Sequence, residues 1–241
     1  MLKKHTIIVI CMFFSLTVQA DSLGFKIGAN VWQHSFSGHA QNGDYIDIEN
    51  DLGFKENETF QGYISLEHPI PIIPNILIQR TIIDANATGD LSGKSFDGTT
   101  FPGVVNSTID LSHTDATLYY EVLDNWVSLD IGFSARVFEQ GLEIKDDSQQ
   151  VSLDIDQVIP MLYSAVKFEL PITGLYVGAD GNGVAFNDDK LIDVKANIGW
   201  ESSLGLGVEA GYRYFDLKYE DDEEQAKMKI DGPYAGLFFH F

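Results

Sequence analysis

From residue 24 to the carboxyl terminus, apolar and polar side chains alternate with a period of two residues. Residues 127–137 are the plainest case. Val127, Leu129, Ile131, Phe133, Ala135 and Val137 share one parity; Ser128, Asp130, Gly132, Ser134 and Arg136 share the other. A β-strand sends alternate side chains to opposite faces, so the pattern specifies strands with one apolar face each. Clusters of Gly, Asn, Asp and Pro separate the segments, and no helical period persists for a useful length. The expected strands are residues 24–36, 59–67, 76–87, a hairpin over 112–137 turning at Asp124-Asn125, then 158–170, 175–186, 191–201, 204–219, and a last strand ending at Phe241. That makes ten, with eight the alternative if one of two neighbouring pairs stays out of the wall.

Alternation alone does not say whether the apolar face turns inward, as in a lipocalin-like soluble barrel, or outward toward lipid. The polar face decides. It carries Gly28, Gly132, Gly178, Gly199, Gly205, Gly207, Gly211 and Gly236. Glycine weakens a strand and gains nothing facing water, but in a crowded lumen it leaves room for long side chains. The same face supplies Lys26, Arg136, Lys167, Lys195 and Arg213 against Glu67, Glu121, Asp130, Glu169, Asp193, Glu201 and Glu209, a lumenal charge network. Arg80 and Asp84, on a stretch of ambiguous parity, are assigned to the lumen too, since a lipid-facing Arg costs about 2–4 kcal/mol at the bilayer midplane. Past the amino-terminal region no apolar run approaches the length of a spanning helix, so a membrane chain must be a closed barrel. The expected fold is an all-β, transmembrane, antiparallel up-and-down barrel. Connections after the first, third and fifth strands are long and most of the others short, which puts long loops outside the cell and both chain ends in the periplasm.

Residues 1–20 read as a signal peptide: Lys3 and Lys4, an apolar run over 6–16, and Ala20 at the cleavage position. Residues 21–241 are then the barrel domain. Cys11, the one cysteine, falls in the removed segment, so no disulfide is expected. Without Lys3 and Lys4, 13 basic residues face 36 acids, a mature charge of about −23 that repels nucleic acid. No phosphate-binding glycine loop, thiol pair or zinc spacing appears, so neither cofactor nor metal is expected.

The last strand ends Tyr234-x-Gly236-x-x-Phe239-x-Phe241, which resembles the carboxyl-terminal signal of bacterial outer-membrane barrels. That resemblance implies recognition by the barrel assembly machinery, with outer-membrane lipid and lipopolysaccharide as surroundings. Residues 66–75 (LEHPIPIIPN), 111–115 (LSHTD), 118–127 (LYYEVLDNWV) and 236–241 (GLFFHF) resemble an uncharacterised family of small Gram-negative outer-membrane β-barrel proteins. The family implies a cell outer-membrane location and brings no activity or site residues.

One pair invites chemistry. His113 and Asp115 lie two apart, facing the lumen near its outer end, where a carboxylate orienting an imidazole could serve a rim-active lipid or peptide hydrolase. Ser112 has the wrong parity, leaving Ser134 or His34 to complete such a site from other strands. A lumenal hydrogen-bond network is the preferred reading of the pair, because no hydrolase motif is present as a whole. Asp154 with Asp156 and the acids 221–224 read as solvated charges, and Asp180-Gly-Asn-Gly183 resembles the start of a calcium loop but lacks the following acidic ligands and the bidentate Glu. The leading expectation is a non-enzymatic outer-membrane protein, structural or interaction-bearing, with acidic external loops and a mostly filled lumen. The hydrolase and a narrow solute pore are the alternatives.

Overall fold

The computed structural model describes residues 23–139, 141–155, 158–221 and 224–241. The signal-like segment, Asp156, Asp222 and Glu223 lie outside them. Ten strands form the wall: β1 (Gly24–Asn42), β2 (Asn57–Glu67), β3 (Asn75–Ile82), β4 (His113–Asp124), β5 (Val127–Phe138), β6 (Val158–Glu169), β7 (Leu175–Phe186), β8 (Asp189–Glu201), β9 (Leu206–Asp221) and β10 (Glu224–His240). Each pairs antiparallel with its neighbours in sequence, and β10 pairs with β1 to close the barrel, with Ile27 opposite Phe239 and Ala29 opposite Leu237. Closure removes both open edges, as hydrocarbon demands.

The alternation lands as expected. Ile27, Val31, Phe60, Ile64, Ile131, Phe133, Leu162, Ile198, Val208 and Leu237 are exposed on the outside. Trp32, His34, Gln61, Tyr119, Arg136, Tyr163 and Phe238 point inward and are buried. Glycines make room for rings: a Cβ on Gly207 would lie 2.1 Å from the Phe238 ring, and one on Gly199 2.2 Å from Tyr176.

The structure overturns the lumenal assignment of Arg80 and Asp84, and it places Gly205 in the turn before β9, at φ 83°, rather than on a strand. Arg80 shares the outer face with Ile78 and Ile82 rather than pointing inward. It sits at the loop end of β3, where its guanidinium leaves the apolar band to pair with Glu139 at 2.7 Å and to donate to Thr114 Oγ1 at 3.2 Å. Long cationic side chains reach polar surroundings in this way. Asp84 is exposed and lies beyond the wall. The chain turns away at Ile83, whose N–H is taken by Ser112 Oγ at 3.1 Å.

The long connections fold as well. Strands Asp84–Asp90 and Val104–Asp110, from the β3–β4 connection, join Gly141–Lys145 and Gln150–Asp154, from the β5–β6 connection, in one four-stranded sheet. Strand Asp44–Asp47 folds back on β1, and residues 95–100 form a small hairpin. Loops touch backbone to backbone: a Cβ on Gly89 would meet Asp51 O at 2.0 Å, and Asp90 N donates to that oxygen at 2.9 Å. This crown is cored by Ile46, Ile48, Leu52, Phe54, Phe101, Val105, Ile109 and Ile144, each at most 1% exposed. The cluster continues without a break into Trp32, Phe36, Phe138, Met161, Phe215 and Ile230 on the inner wall. The long-loop end is therefore stoppered by an apolar core.

Candidate functional site

Directly below that core lies the expected rim pair. Both residues reach the lumen from β4, but they do not meet each other. His113 Nδ1 is 2.8 Å from Leu111 O, and because a carbonyl only accepts, Nδ1 carries the proton. His113 Nε2 is left as an acceptor facing Asp193 Oδ2 at 3.9 Å, without a hydrogen bond. Asp115 is engaged by Arg136, its register partner on β5, through Nε at 2.7 Å and Nη2 at 2.6 Å. Arg136 Nη2 also donates to Asp193 at 2.7 Å, and Arg213 grips the same carboxylate through Nε at 2.8 Å and Nη2 at 2.7 Å. The Arg213 guanidinium stacks 4.6 Å over the Trp32 ring.

Two guanidiniums thus neutralise two carboxylates in bidentate pairs, the strongest geometry such ions form. His113 and Arg136 are 0% exposed, Asp115 and Arg213 2%, and Asp193 5%. A hydrolase needs its carboxylate on the imidazole N–H and its other nitrogen within reach of a substrate. Here the backbone holds the N–H, and apolar side chains cover the site. Ser134 is engaged elsewhere, with Thr117 at 2.5 Å and Asn182 at 2.6 Å, and His34 packs among Trp32 and Phe36. Ligand atoms of His113, Asp115 and Asp193 lie within 4.8 Å of one another, but arginine N–H groups already occupy both carboxylates.

The rest of the expected charge network sits lower. A neutral layer of Asn30, Gln61, Thr117 and Asn182 intervenes. Below it Lys26, Glu67, Asp130, Lys167, Glu169, Lys195, Glu201 and Glu209 line a cavity of about 470 Å3 that opens among the short turns, with Glu121 at its mouth. Asp180, in the wall strand β7 rather than a calcium loop, pairs with Lys195 at 3.2 Å. Of the carboxyl-terminal motif, Tyr234 is buried inward, its hydroxyl accepting from Asn197 Nδ2 at 3.2 Å, Gly236 packs against Asn30, and Phe239 and Phe241 face out, 5.4 Å apart between ring centroids. Asp193 is the central acceptor of the plug. The sequence put it on the inner face, but nothing local marked it as the residue both arginines share.

A closed ten-stranded barrel with an apolar exterior and a charged lumen is the fold of the outer-membrane β-barrels. Among solved structures the chain is similar to the outer membrane protease OmpT of Escherichia coli, with a TM-score of 0.57 and 11% identity over 93% of this chain and 100% of that one. The translocator domain of the autotransporter NalP of Neisseria meningitidis aligns at a TM-score of 0.42 and 11% identity, over 93% of this chain and 91% of that one. Ail, the attachment invasion locus protein of Yersinia pestis, aligns at 0.36 and 12%, over 92% and 100%. No protein-family model and no curated protein matches the chain.

Proposed function

We propose that the protein is a non-enzymatic integral outer-membrane barrel, closed to through-flow, that presents a rigid acidic crown outside the cell. The observation that carries this reading is the sealing of the lumen. The one catalytic-looking pair lies under a continuous apolar core, with its charges spent on arginines. A fold shared with a protease at such low identity brings no activity with it. Small barrels fill their interiors with side chains, whereas open aqueous channels belong to about 16–18 strands.

In this reading the long-loop end faces outward and the chain ends face the periplasm. The terminal motif at Tyr234, Gly236, Phe239 and Phe241 is read by the assembly machinery, while lipid and lipopolysaccharide surround the wall. The resemblance to uncharacterised Gram-negative outer-membrane barrels supports the location. The test is planar-bilayer recording of refolded protein, together with lipid and peptide hydrolysis assays. No unitary conductance and no activity are expected. Steady conductance steps, or hydrolysis lost in His113→Ala, would reject the proposal.

A further inference from the structure

The cavity at the short-turn end has the size of a small-molecule site, which typically holds about 300–1,000 Å3. Its charges do not balance. Lys167 is held by Glu169 at 2.7 Å, Lys195 by Asp180 at 3.2 Å, and His240 lies 3.3 Å from Glu201. Glu67, Asp130 and Glu209 have no ion pair among the described residues, and Asp130 Oδ1 is enclosed without a hydrogen bond. Against these three stands Lys26, whose ammonium lies 4.1 Å from the Phe238 ring centroid. Tyr119 and Tyr176 donate hydroxyl hydrogen bonds to Glu67 at 2.8 Å and to Glu209 at 3.3 Å, but a hydroxyl brings no counter-charge, so carboxylates outnumber ammonium groups in this lining, a costly state in a low-dielectric lumen.

Hydrogen bonding is incomplete in the same place. Tyr163 is 6% exposed and Gln79 5%, both line the cavity, and neither side chain hydrogen-bonds to another described residue. The rings of Tyr119 and Tyr163 stand 5.8 Å apart and supply apolar, electron-rich faces. The unpaired carboxylates come from β2, β5 and β9, on separate parts of the wall. Among the described residues no three carboxylate or imidazole ligand atoms converge here; the one such group is His113, Asp115 and Asp193 in the plug. A hard metal ion wants many oxygens at one point. This cavity offers separated acceptors with aromatic rings between them.

We propose that the vestibule binds a short aliphatic diamine: two ammonium groups taken by separate carboxylates, and an alkyl chain lying on the tyrosine rings. Each ammonium has three donors, which the Tyr163 hydroxyl and the Gln79 carbonyl oxygen help to satisfy. The inference goes beyond the closed-barrel reading and fails separately from it: loss of closure appears as conductance, loss of this site as absence of binding.

The test is isothermal titration of the refolded wild-type barrel in detergent with 1,4-diaminobutane, n-butylamine and magnesium chloride at matched ionic strength. Saturable binding of the diamine is expected, about tenfold tighter than the monoamine and undisturbed by magnesium. Asp130→Asn and Glu209→Gln should each weaken it about tenfold, and Tyr163→Phe severalfold, while Tyr212→Phe on the outer wall leaves it unchanged. Four results would overturn the site: no binding by wild type up to about 10 mM, equal affinity for the monoamine, displacement by magnesium, or full affinity in folded Asp130→Asn and Glu209→Gln proteins.

Discussion

Arg136 is the residue on which the plug depends. Its guanidinium makes three hydrogen bonds to two buried carboxylates. Replacing it with leucine strands Asp115 without a counter-charge, and breaking a buried pair on one side costs about 3–5 kcal/mol. Arg136→Leu should therefore lower the thermal unfolding temperature of the refolded barrel strongly. Arg136→Leu combined with Asp115→Leu should recover much of the loss, because no lone charge remains between them. Equal destabilisation of both variants would mean that packing, not charge, governs the position. Parity in the sequence put Arg136, His113 and Asp115 in the lumen. It did not pair them, since which residues meet is set by the register between β4 and β5 and by Asp193 arriving from β8. Arg80 escaped the parity argument because the cost of a lipid-facing arginine applies to the bilayer's middle, whereas this one sits at a strand end.

At the scale of elements, the wall was legible and the crown was not. Wall strands run long enough for the two-residue period to show, and β7 spans 175–186 as the pattern demands. Crown strands are of two to seven residues with polar connections, so their alternation (Ile46 and Ile48, Leu142 and Ile144) is too brief to separate from loop composition. Their burial depends on a partner strand from a different connection. The crown should resist external protease in the wild type. Ile144→Asp, which buries a charge at a fully enclosed position, should open cleavage within residues 90–104 while leaving the heat-modified gel mobility of the barrel intact. Cleavage of wild type and variant at the same rate would mean that the crown sheet is not stably formed. In the wall, Gly207→Ala drives a methyl into the Phe238 ring. Overpacking of this kind costs about 1–3 kcal/mol, read as a lower unfolding temperature; an unchanged temperature would mean that the ring has room to move.

The whole molecule is ordered from end to end: acidic crown over an apolar core, neutralised charge plug, neutral polar layer, acidic vestibule, and a seam between the first and last strands. At that seam Phe25 and Phe241 exchange backbone hydrogen bonds of 2.8 and 2.9 Å, and their rings lie 4.8 Å apart. Deleting Phe241 should reduce the amount reaching the outer membrane far more than it lowers the unfolding temperature of barrels refolded in detergent. Normal outer-membrane levels of the truncated chain would remove the recognition role, and a collapse of refolded stability would assign the residue to packing instead. The crown sheet has a consequence for how such a chain arrives. Its four strands come from two separate excursions of the chain, those between β3 and β4 and between β5 and β6. Neither excursion can complete the sheet while the other is still on the near side of a bilayer. Once both have crossed and paired, pulling either back means tearing a hydrogen-bonded ladder and its apolar core apart. Passage becomes a ratchet, with the folded loops as its pawl, and the direction of insertion is kept afterwards by structure.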